Sequence, residues 1–333
     1  MSKRVLVTGA SGFVAGHVLA ELRRHGYTVR GTARKPVGGL DDVVNADLSR
    51  DDGWAAAVEG CDYVLHVASP FPAHMPRTED ELIRPAVDGT LRVLRAAANA
   101  GVQRVVMTSS LLAVSSGHPN GPVRTEADWA LLPRCTPYTR SKTLAELAAW
   151  DFAGQSGLDL VTLTPGIVLG PLSTPSVGTS VQVIRRLLNR AVPASPPMGF
   201  AVVDVRDLAA AHRLALETPA AGGNRYIVAG EHLWMRDVAA VLAEEFNPRG
   251  YRVPTGELPG WFARVVGWFD PSLRAAADHL GRHELVSSEK ARRELGWTLR
   301  PARETILDTA YSLVELGLAP NPAEKKAAAA ARA

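Results

Sequence analysis

The segment VLVTGASGFVAGHV, residues 5–18, decides the fold of this 333-residue chain. It joins a short β-branched run to an apolar stretch with helical spacing, and Gly9 and Gly12 mark the connection. Glycine at the first position permits a tight turn, and glycine at the second lets the backbone approach a pyrophosphate. Ala15 stands at the third position, where a small residue lets the helix pack closely on the strand. At the first strand of an α/β pattern, this spacing predicts a dinucleotide-binding turn.

The first half of the chain alternates strand-like and helix-like stretches. We predict strands at residues 4–8, 27–32, 63–68, 104–109 and 158–164. The helical stretches between them end at Gly26, Gly101 and Gly157, as glycine C-caps do. Strands that are apolar throughout and alternate with helices predict an α/β fold with a doubly wound parallel sheet, covered by helices on both faces.

The pattern is less regular after residue 170. Loops rich in proline, glycine and serine at 170–178 and 192–199 bracket a helical stretch, and more helical stretches follow. The aromatic-rich stretch at 260–269 predicts either the core of a lobe or a lid over the substrate. We therefore expect three parts. They are an NADP-binding domain at 1–170, a smaller, mostly helical substrate lobe at 171–318 of which about 200–230 returns to the first domain, and a disordered tail at 319–333.

Composition limits the classes of function. The chain is 46% hydrophobic, enough for a large core, and its net charge of +3 without a basic stripe argues against nucleic-acid binding. Cys61 and Cys135 are the two cysteines, which fits a reducing cytosol better than a disulfide framework. No stretch has the apolar length of a signal peptide or membrane span, so we expect a cytoplasmic protein without a membrane partner. The spacing of His, Cys, Asp and Glu predicts no metal site.

The stretch RGTARKP, residues 30–36, places Arg34 and Lys35 at the end of the predicted second strand. A site for NAD carries Asp or Glu there, which binds the ribose 2′-hydroxyl. A guanidinium instead matches a 2′-phosphate in charge and in bidentate geometry. These residues favour NADP(H), and the alternative is an ordinary solvated charge pair. Farther along, we expect Asp47 to accept a hydrogen bond from the adenine amino group.

A second motif, YTRSK at residues 138–142, stands at the start of a helical stretch. Four residues on a helix are about 40° past one turn, so Tyr138 and Lys142 share a face. One explanation of the pair is chance. The other is acid catalysis, because a nearby ammonium favours the phenolate and brings a pKa that is normally near 10 closer to neutral pH.

Several motifs in this chain resemble a known family when they are taken in order. They are TGASGFVAGH, CDYVLHVASP, RVVMTSS, YTRSKTLAELAAW, LTPGIVLGP and SSEKARRELGW. Over residues 3–315 the chain resembles the extended short-chain dehydrogenases/reductases, and most of all the branch of dihydroflavonol reductases, cinnamoyl-CoA reductases and yeast-type carbonyl reductases. The resemblance implies a Rossmann-type fold and NADP-dependent reduction of a carbonyl group.

The resemblance also implies roles for single residues. Tyr138 would be the proton donor, Lys142 its partner, and Ser110 the group that hydrogen-bonds the substrate carbonyl, with Ser109 as the alternative serine. The residues 66–70 would line the ribose and 165–168 the nicotinamide. The expected cofactor contacts are Thr8, Gly9, Ser11, Gly12, Phe13, Val14, Arg34, Lys35, Asp47, Leu48, Val67, Ala68, Ser69, Thr108, Tyr138, Lys142, Pro165, Gly166, Ile167 and Val168.

Other conspicuous polar residues have simpler explanations. His66 is expected to be a packed, hydrogen-bonded histidine and Cys135 a structural cysteine. Asp204 and Asp207 are expected to cap a helix. Ser115 departs from the family pattern, because plant flavonoid enzymes carry asparagine five residues after the catalytic serine, which weakens the case for a flavonoid substrate.

These features support one function and leave two alternatives. The first is NADPH-dependent reduction of an aldehyde or ketone, reversible as an alcohol dehydrogenase, by a monomer or homodimer. We expect a small and largely apolar substrate, held by the loops at 111–137 and 171–180 and by the second lobe. The alternatives are a nucleotide-sugar epimerase or dehydratase with bound NAD, for which Arg185, Arg186 and Arg190 supply basic groups, and a non-catalytic NADP-binding sensor.

Overall fold

A computed structural model describes residues 2–70, 78–175, 178–259 and 280–320. The strands are β1 (Arg4–Val7), β2 (Thr28–Thr32), β3 (Val43–Val44), β4 (Tyr63–His66), β5 (Arg104–Thr108), β6 (Leu160–Pro165), β7 (Ile167–Leu169), β8 (Gly199–Asp204), β9 (Arg225–Val228) and β10 (His232–Trp234). The helices are α1 (Phe13–Arg24), α2 (Trp54–Val58), α3 (Asp80–Asn99), α4 (Leu112–Ser115), α5 (Pro137–Ser156), α6 (Gln182–Leu188), α7 (Val205–Glu217), α8 (Met235–Phe246), α9 (Glu289–Leu295) and α10 (Ala302–Glu315).

Seven strands form one parallel sheet in the order β3-β2-β1-β4-β5-β6-β9. The chain winds outward from β1 in one direction and from β4 in the other, so the strand order reverses between these two neighbours. In open parallel sheets, ligands bind beyond the carboxyl ends of the strands at this point of reversal. The predicted doubly wound parallel sheet is confirmed.

Helices cover both faces of this sheet, and β1 shows how the sequence achieves this. Val5 and Val7 point to the face covered by α1 and α7, whereas Leu6 points to the face covered by α3 and α5. All three side chains are fully buried. A strand buried on both faces must be apolar at successive positions, which explains why the run RVLV lacks polar alternation.

A second sheet lies in the later part of the chain. It has the order β10-β8-β7, with β8 parallel to β7 and antiparallel to β10. One of its faces packs with α6, α8 and α10 around a second apolar core that includes Ile184, Phe200 and Leu242. The sequence predicted α6 and α8 here but not the strands, because β7 and β10 are only three residues long and β8 runs directly into α7 without a turn residue between strand and helix.

The strands and helix ends that we predicted for the first half of the chain are confirmed. All five predicted strands are present, with ends that shift by no more than two residues. The helix-ending glycines adopt the left-handed conformation, with φ of 79° at Gly26, 67° at Gly101 and 71° at Gly157. The aromatic stretch at 260–269 and most of the predicted tail, 321–333, lie outside the described residues. Among the described helices, none combines the length and the apolar character that a membrane span requires.

Candidate functional site

The glycine-rich turn lies at the carboxyl edge of the seven-stranded sheet, between β1 and α1. Gly9 has a φ of 69°, and the N–H of Gly12 donates to its carbonyl oxygen at 2.8 Å, which closes the turn. Gly12 is the N-cap of α1, and no side chain of the described residues caps the N–H groups of the first helical turn. That turn carries no acidic residue either. The positive end of the helix is therefore open to an anion such as a pyrophosphate.

The turn is too crowded for a side chain at its glycines. A Cβ on Gly9 would lie 2.9 Å from the Cβ of Ala68, and one on Gly12 would lie 3.1 Å from the Gly9 carbonyl oxygen. The N–H of Gly9 and the N–H of Ala10 both donate to Thr32 on β2, to its hydroxyl at 3.2 Å and its carbonyl at 2.9 Å. The backbone of the turn is thus held close to β2 and β4, as a dinucleotide site requires.

We expect Gly9→Ala to weaken dinucleotide binding by at least tenfold and to lower the melting temperature. The substitution puts an L-residue at positive φ and a methyl group against Ala68, and strained backbone of this kind costs about 1–3 kcal/mol. Gly154→Ala is the matched control, because Gly154 lies on α5 with open space around its Cα, and alanine there favours helix by about 1 kcal/mol. Fluorescence titration and thermal unfolding measure both effects. Equal dinucleotide affinity for the two variants would contradict the role of the turn.

The residues predicted to bind the adenosine end lie together beyond β2. Arg34 and Lys35 are exposed there. The carboxylate of Asp47 accepts hydrogen bonds from the N–H and hydroxyl of Ser49, at 2.8 and 2.7 Å, and these bonds lower its pKa. The charge of Arg34 lowers the same pKa further, so Arg34 and Asp47 are electrostatic neighbours. An anionic carboxylate and a cationic pair are thus available beyond the carboxyl end of β2.

A buried hydrogen-bond cluster supports the segment that follows β4. The hydroxyl of Thr8 accepts from the N–H of Ala68 at 3.0 Å and lies 3.0 Å from Nδ1 of His66. Burial, and then the positive charge of Lys142, lower the pKa of His66 to about 3, so the ring is neutral at physiological pH. His66 is therefore a packed, hydrogen-bonded residue, as predicted, and it contacts the Thr8 hydroxyl that holds Ala68 against the glycine-rich turn.

Tyr138 and Lys142 lie on one face of α5. The helix begins with Thr136 as N-cap, whose hydroxyl accepts from the N–H of Thr139, and with Pro137 at the first position, where its missing N–H costs nothing. The ammonium of Lys142 is 6.0 Å from the centroid of the Tyr138 ring and donates to Oγ of Ser69 at 2.6 Å. Lys142 thus reaches the 67–69 segment at the carboxyl edge of the sheet, with Tyr138 one helical turn before it.

Burial shifts both ionisable groups of this pair. It raises the pKa of the Tyr138 phenol and lowers the pKa of the Lys142 ammonium to about 8. The raised pKa of Tyr138 is opposite to the lowered pKa that we predicted from the nearby Lys142. The loss of solvation outweighs the attraction of an ammonium 6.0 Å from the ring. The phenol therefore remains protonated at neutral pH, the state that a proton donor needs.

The two candidate serines differ in their surroundings. Ser109 is buried and donates its hydroxyl to Oε2 of Glu146 at 2.6 Å. Ser110 is half-buried, and its Oγ accepts from the N–H of Leu112 at 3.3 Å, which leaves its own proton available to a ligand. Of the two serines, only Ser109 donates its hydroxyl to a carboxylate, and the role of Ser110 at a substrate carbonyl stays a prediction. Glu146 itself was missed by the sequence analysis, since a single glutamate in a helix carries no distinguishing pattern.

The family model described as the NAD dependent epimerase/dehydratase family matches residues 5–230. The chain belongs to this family. Cinnamoyl-CoA reductase 1 of Arabidopsis thaliana is 38% identical over 274 residues, covering 76% of this chain and 77% of that protein. Dihydroflavonol 4-reductase of Zea mays is 32% identical over 95% of this chain and 90% of its own length. The crystal structure of yeast methylglyoxal/isovaleraldehyde reductase Gre2 complexed with NADPH matches with a TM-score of 0.78 and 27% identity, over 94% of this chain and 99% of that one.

Other predicted contacts of this epimerase/dehydratase family member follow the same edge of the sheet. Pro165 ends β6, Gly166 has no room for a side chain against the Ala201 carbonyl, and Ile167 and Val168 open β7. Thr108 ends β5, and its hydroxyl lies 2.7 Å from Nε2 of His212. The structure thus places these residues within one region, and their contacts with a cofactor stay a prediction.

A polar pocket lies beside α4. Its lining includes Ser115, His118, Arg124, Arg282 and Glu284. The hydroxyl of Ser115 lies 3.3 Å from Oε1 of Glu284, and Arg282 donates to the His118 carbonyl at 2.6 Å. The segment at 111–137, predicted to line an apolar substrate pocket, therefore contributes polar groups on this side.

Three further predictions concern single residues. Asp204 caps α7, where it accepts from the N–H of Arg206 at 2.8 Å, as expected. Asp207 does not cap the helix but accepts from the N–H of Arg300 at 2.7 Å, so it holds the segment before α10. Cys135 is buried. No group of three or more metal-ligating side chains suited to an ion occurs in the part of the chain that the structure describes.

Proposed function

We propose that this chain is an NADPH-dependent reductase that converts an aldehyde or ketone to an alcohol. One observation carries the proposal: Lys142, whose ammonium lies 6.0 Å from the Tyr138 ring on α5, donates to Ser69 in the segment that the glycine-rich turn contacts. A dinucleotide bound at the turn would extend along this edge of the sheet toward the pair. The names of the cinnamoyl-CoA and dihydroflavonol reductase relatives, both of them reductases, support the same class of reaction.

NADP(H) fits the residues of the cleft. The open N-terminus of α1 suits the pyrophosphate, and Arg34 and Lys35 suit a 2′-phosphate on the adenosine ribose. Lys142, which donates to Ser69, would instead hold the ribose hydroxyls of the nicotinamide half. The yeast reductase that matches over nearly the whole chain is complexed with NADPH, which supports this choice over NADH.

The cofactor supplies a hydride to the carbonyl carbon, and the chain's own residues act on the carbonyl oxygen. Negative charge develops on that oxygen during reduction, and preorganised donors stabilise it in a site from which water is excluded. Ser110 contributes its hydroxyl proton as one such donor. Tyr138 contributes the second and transfers its proton to the oxygen. Lys142 stabilises the phenolate that remains, because its ammonium lies 6.0 Å from the ring.

A second candidate function rests on the polar pocket beside α4. Arg124 and Arg282 place two guanidinium groups near Ser115, five residues after Ser110. Arginines of this kind suit a diphosphate, such as that of a nucleotide sugar or of a CoA thioester. Arg124 already binds Asp128 at 3.2 Å and Arg282 the His118 carbonyl, so both cations are partly engaged. A carbonyl substrate without a diphosphate therefore remains the first choice.

The oxidation of NADPH, followed by its absorbance, tests the proposal. The panel comprises aliphatic and aromatic aldehydes, ketones, an aromatic acyl-CoA and a UDP-sugar. We expect turnover with at least one aldehyde or ketone. Turnover of the acyl-CoA alone would move the substrate to the thioester class. Conversion of the UDP-sugar without net NADPH consumption, detected by chromatography of the products, would support the epimerase alternative. NADPH binding without turnover of any compound would favour the sensor.

Cofactor preference provides a separate prediction. We expect Arg34→Asp to weaken NADPH binding by about 10–100-fold, the loss of a hydrogen bond between charged groups, and to leave NADH binding equal or improved. Arg293→Asp on the exposed face of α9 is the control for charge reversal, and both affinities should be unchanged there. Fluorescence titrations with the two cofactors measure the ratio. Equal affinities for NADPH and NADH in the wild-type protein would contradict the proposed role of Arg34.

A further inference from the structure

We infer that Ser109 is a positioning residue, and that its hydrogen bond to the buried Glu146 holds Ser110 in place for the reaction. This inference rests on the proposed function, because Ser110 is the group whose position matters. It concerns a buried acid that the proposed chemistry does not use. Glu146 is completely buried, and the hydroxyl of Ser109 donates to its Oε2 at 2.6 Å.

Glu146 is fixed from several directions. Its Oε1 accepts from the hydroxyl of Thr162 on β6 at 2.8 Å and from Nε of Arg225 on β9 at 2.8 Å. Nη2 of the same arginine reaches Oε2 at 3.3 Å. A buried carboxylate needs a cation and a full set of donors, and this set provides both. The carboxylate of Glu146 is therefore held in one position by these hydrogen bonds.

Arg225 is itself held by the loop that follows α4. Its Nη1 donates to the carbonyl oxygens of Glu126 and Asp128, each at 2.9 Å, and its guanidinium lies 3.6 Å from the centroid of the Trp129 ring. The guanidinium thus contacts backbone, carboxylate and aromatic ring at once. Little freedom is left for the arginine, or for the glutamate that it binds.

The position of Glu146 on α5 makes this anchor relevant to the candidate catalytic residues. It follows Lys142 by four residues and Tyr138 by eight, so all three lie along one face of the helix. Ser109 immediately precedes Ser110. The bond between Ser109 and Glu146 therefore joins the helix that carries the proposed proton donor to the strand end that carries the proposed carbonyl donor.

The other hydrogen bonds around Ser110 lie along the sheet and within the following turn, where the N–H of Ala113 donates to the Ser110 carbonyl at 2.9 Å. The N–H of Ser109 donates to the Leu163 carbonyl and that of Leu111 to the Pro165 carbonyl, each at 2.8 Å, which fixes the distance to β6. The hydroxyl of Ser109 adds a constraint in the perpendicular direction, toward α5. Without it, the strand end can move away from the helix, and a displacement of about 1 Å at a reacting group can lower a rate by about 10²-fold.

The experiment compares two hydroxyls that bind the same carboxylate. Ser109→Ala and Thr162→Val each remove one hydrogen bond to Glu146, but Thr162 lies on β6 opposite Met107, three residues before Ser110. Both should lower the melting temperature alike, by a few degrees. We expect Ser109→Ala to lower kcat about tenfold or more without changing the Kd for NADPH, and Thr162→Val to keep kcat within about twofold.

A second arm repeats both substitutions in the Ser110→Ala protein. If Ser109 acts through Ser110, Ser109→Ala should have no further effect on kcat in that background. A general loss of stability would instead lower kcat equally in both backgrounds, and that result overturns the inference. Equal kcat for Ser109→Ala and Thr162→Val overturns it too. The wild-type protein tests the proposed function separately. If it reduces no carbonyl compound, both proposals fail. If it is active, the variants test only the positioning role of Ser109.

Discussion

Tyr138→Phe is expected to lower kcat for carbonyl reduction by about 10²–10⁴-fold, the usual contribution of general acid catalysis. The substitution keeps the ring and its packing at the start of α5 and removes only the phenolic proton. Burial raises the pKa of this phenol, so the proton is present at every pH at which the enzyme would be assayed. The affinity for NADPH should hardly change, since the proposed role of Tyr138 concerns the substrate oxygen.

Tyr27→Phe is the matched control for this substitution. Tyr27 precedes β2 at the amino edge of the sheet, opposite the candidate site, and its hydroxyl donates to Glu217 at 3.2 Å. Its removal should leave kcat unchanged. Near-full turnover by Tyr138→Phe on a good substrate would show that Tyr138 is not the proton donor, and the binding-only sensor would then be the better explanation of the fold.

Much of the fold could be predicted because its signals are local. A glycine turn after an apolar strand and three glycine-ended helices indicate parallel strand–helix units without any long-range information. Gly9, Gly26, Gly101 and Gly157 all have φ values between 67° and 79°, a conformation that few other residues adopt. Glycine is therefore favoured at these four positions, and its spacing along the sequence predicts where the turn and the helix ends lie.

The candidate site could be predicted only in part, because some of its contacts join distant segments. Tyr138 and Lys142 are four residues apart, so their shared face follows from helix geometry alone. The bond from Ser109 to Glu146 spans 37 residues, and the pair of Glu146 and Arg225 spans 79. Neither residue stands out locally. The preference for Ser110 over Ser109 therefore rests on the fold, in which the Ser109 hydroxyl donates to Glu146, and the role of Ser110 stays a prediction.

The direction of the Tyr138 pKa shift also needed the fold. From sequence, an ammonium one turn away predicts a lowered pKa. In the structure the ring centroid is 6.0 Å from the ammonium, and packing around both half-buried residues reduces the solvation of their ionisable groups. Loss of solvation disfavours whichever form is charged, so it raises the pKa of a phenol and lowers that of an amine. Burial is a property of the packed chain, and a motif five residues long does not contain it.

Lys142→Met is expected to lower kcat at least as much as Tyr138→Phe and also to weaken NADPH binding by about 10–100-fold, the loss of hydrogen bonds from a charged donor. Methionine keeps most of the length of the side chain and its apolar packing, so the change tests the ammonium. The two variants should differ in cofactor affinity, because only Lys142 is proposed to hold the nicotinamide ribose. Stopped-flow single turnovers and fluorescence titration separate the two effects.

The pH dependence of kcat provides the sharpest form of this test. Burial lowers the pKa of Lys142 to about 8, so its ammonium is present below that pH and is lost as the pH rises through it. The raised pKa of Tyr138 keeps the phenol protonated across the same range. Wild-type kcat should therefore fall above about pH 8, and this alkaline limb belongs to Lys142 rather than to Tyr138. In Lys142→Met the limb should disappear and leave a low, flat profile. A wild-type rate that stays constant from pH 7 to about pH 10, well past that pKa, would show that the reaction does not need the ammonium.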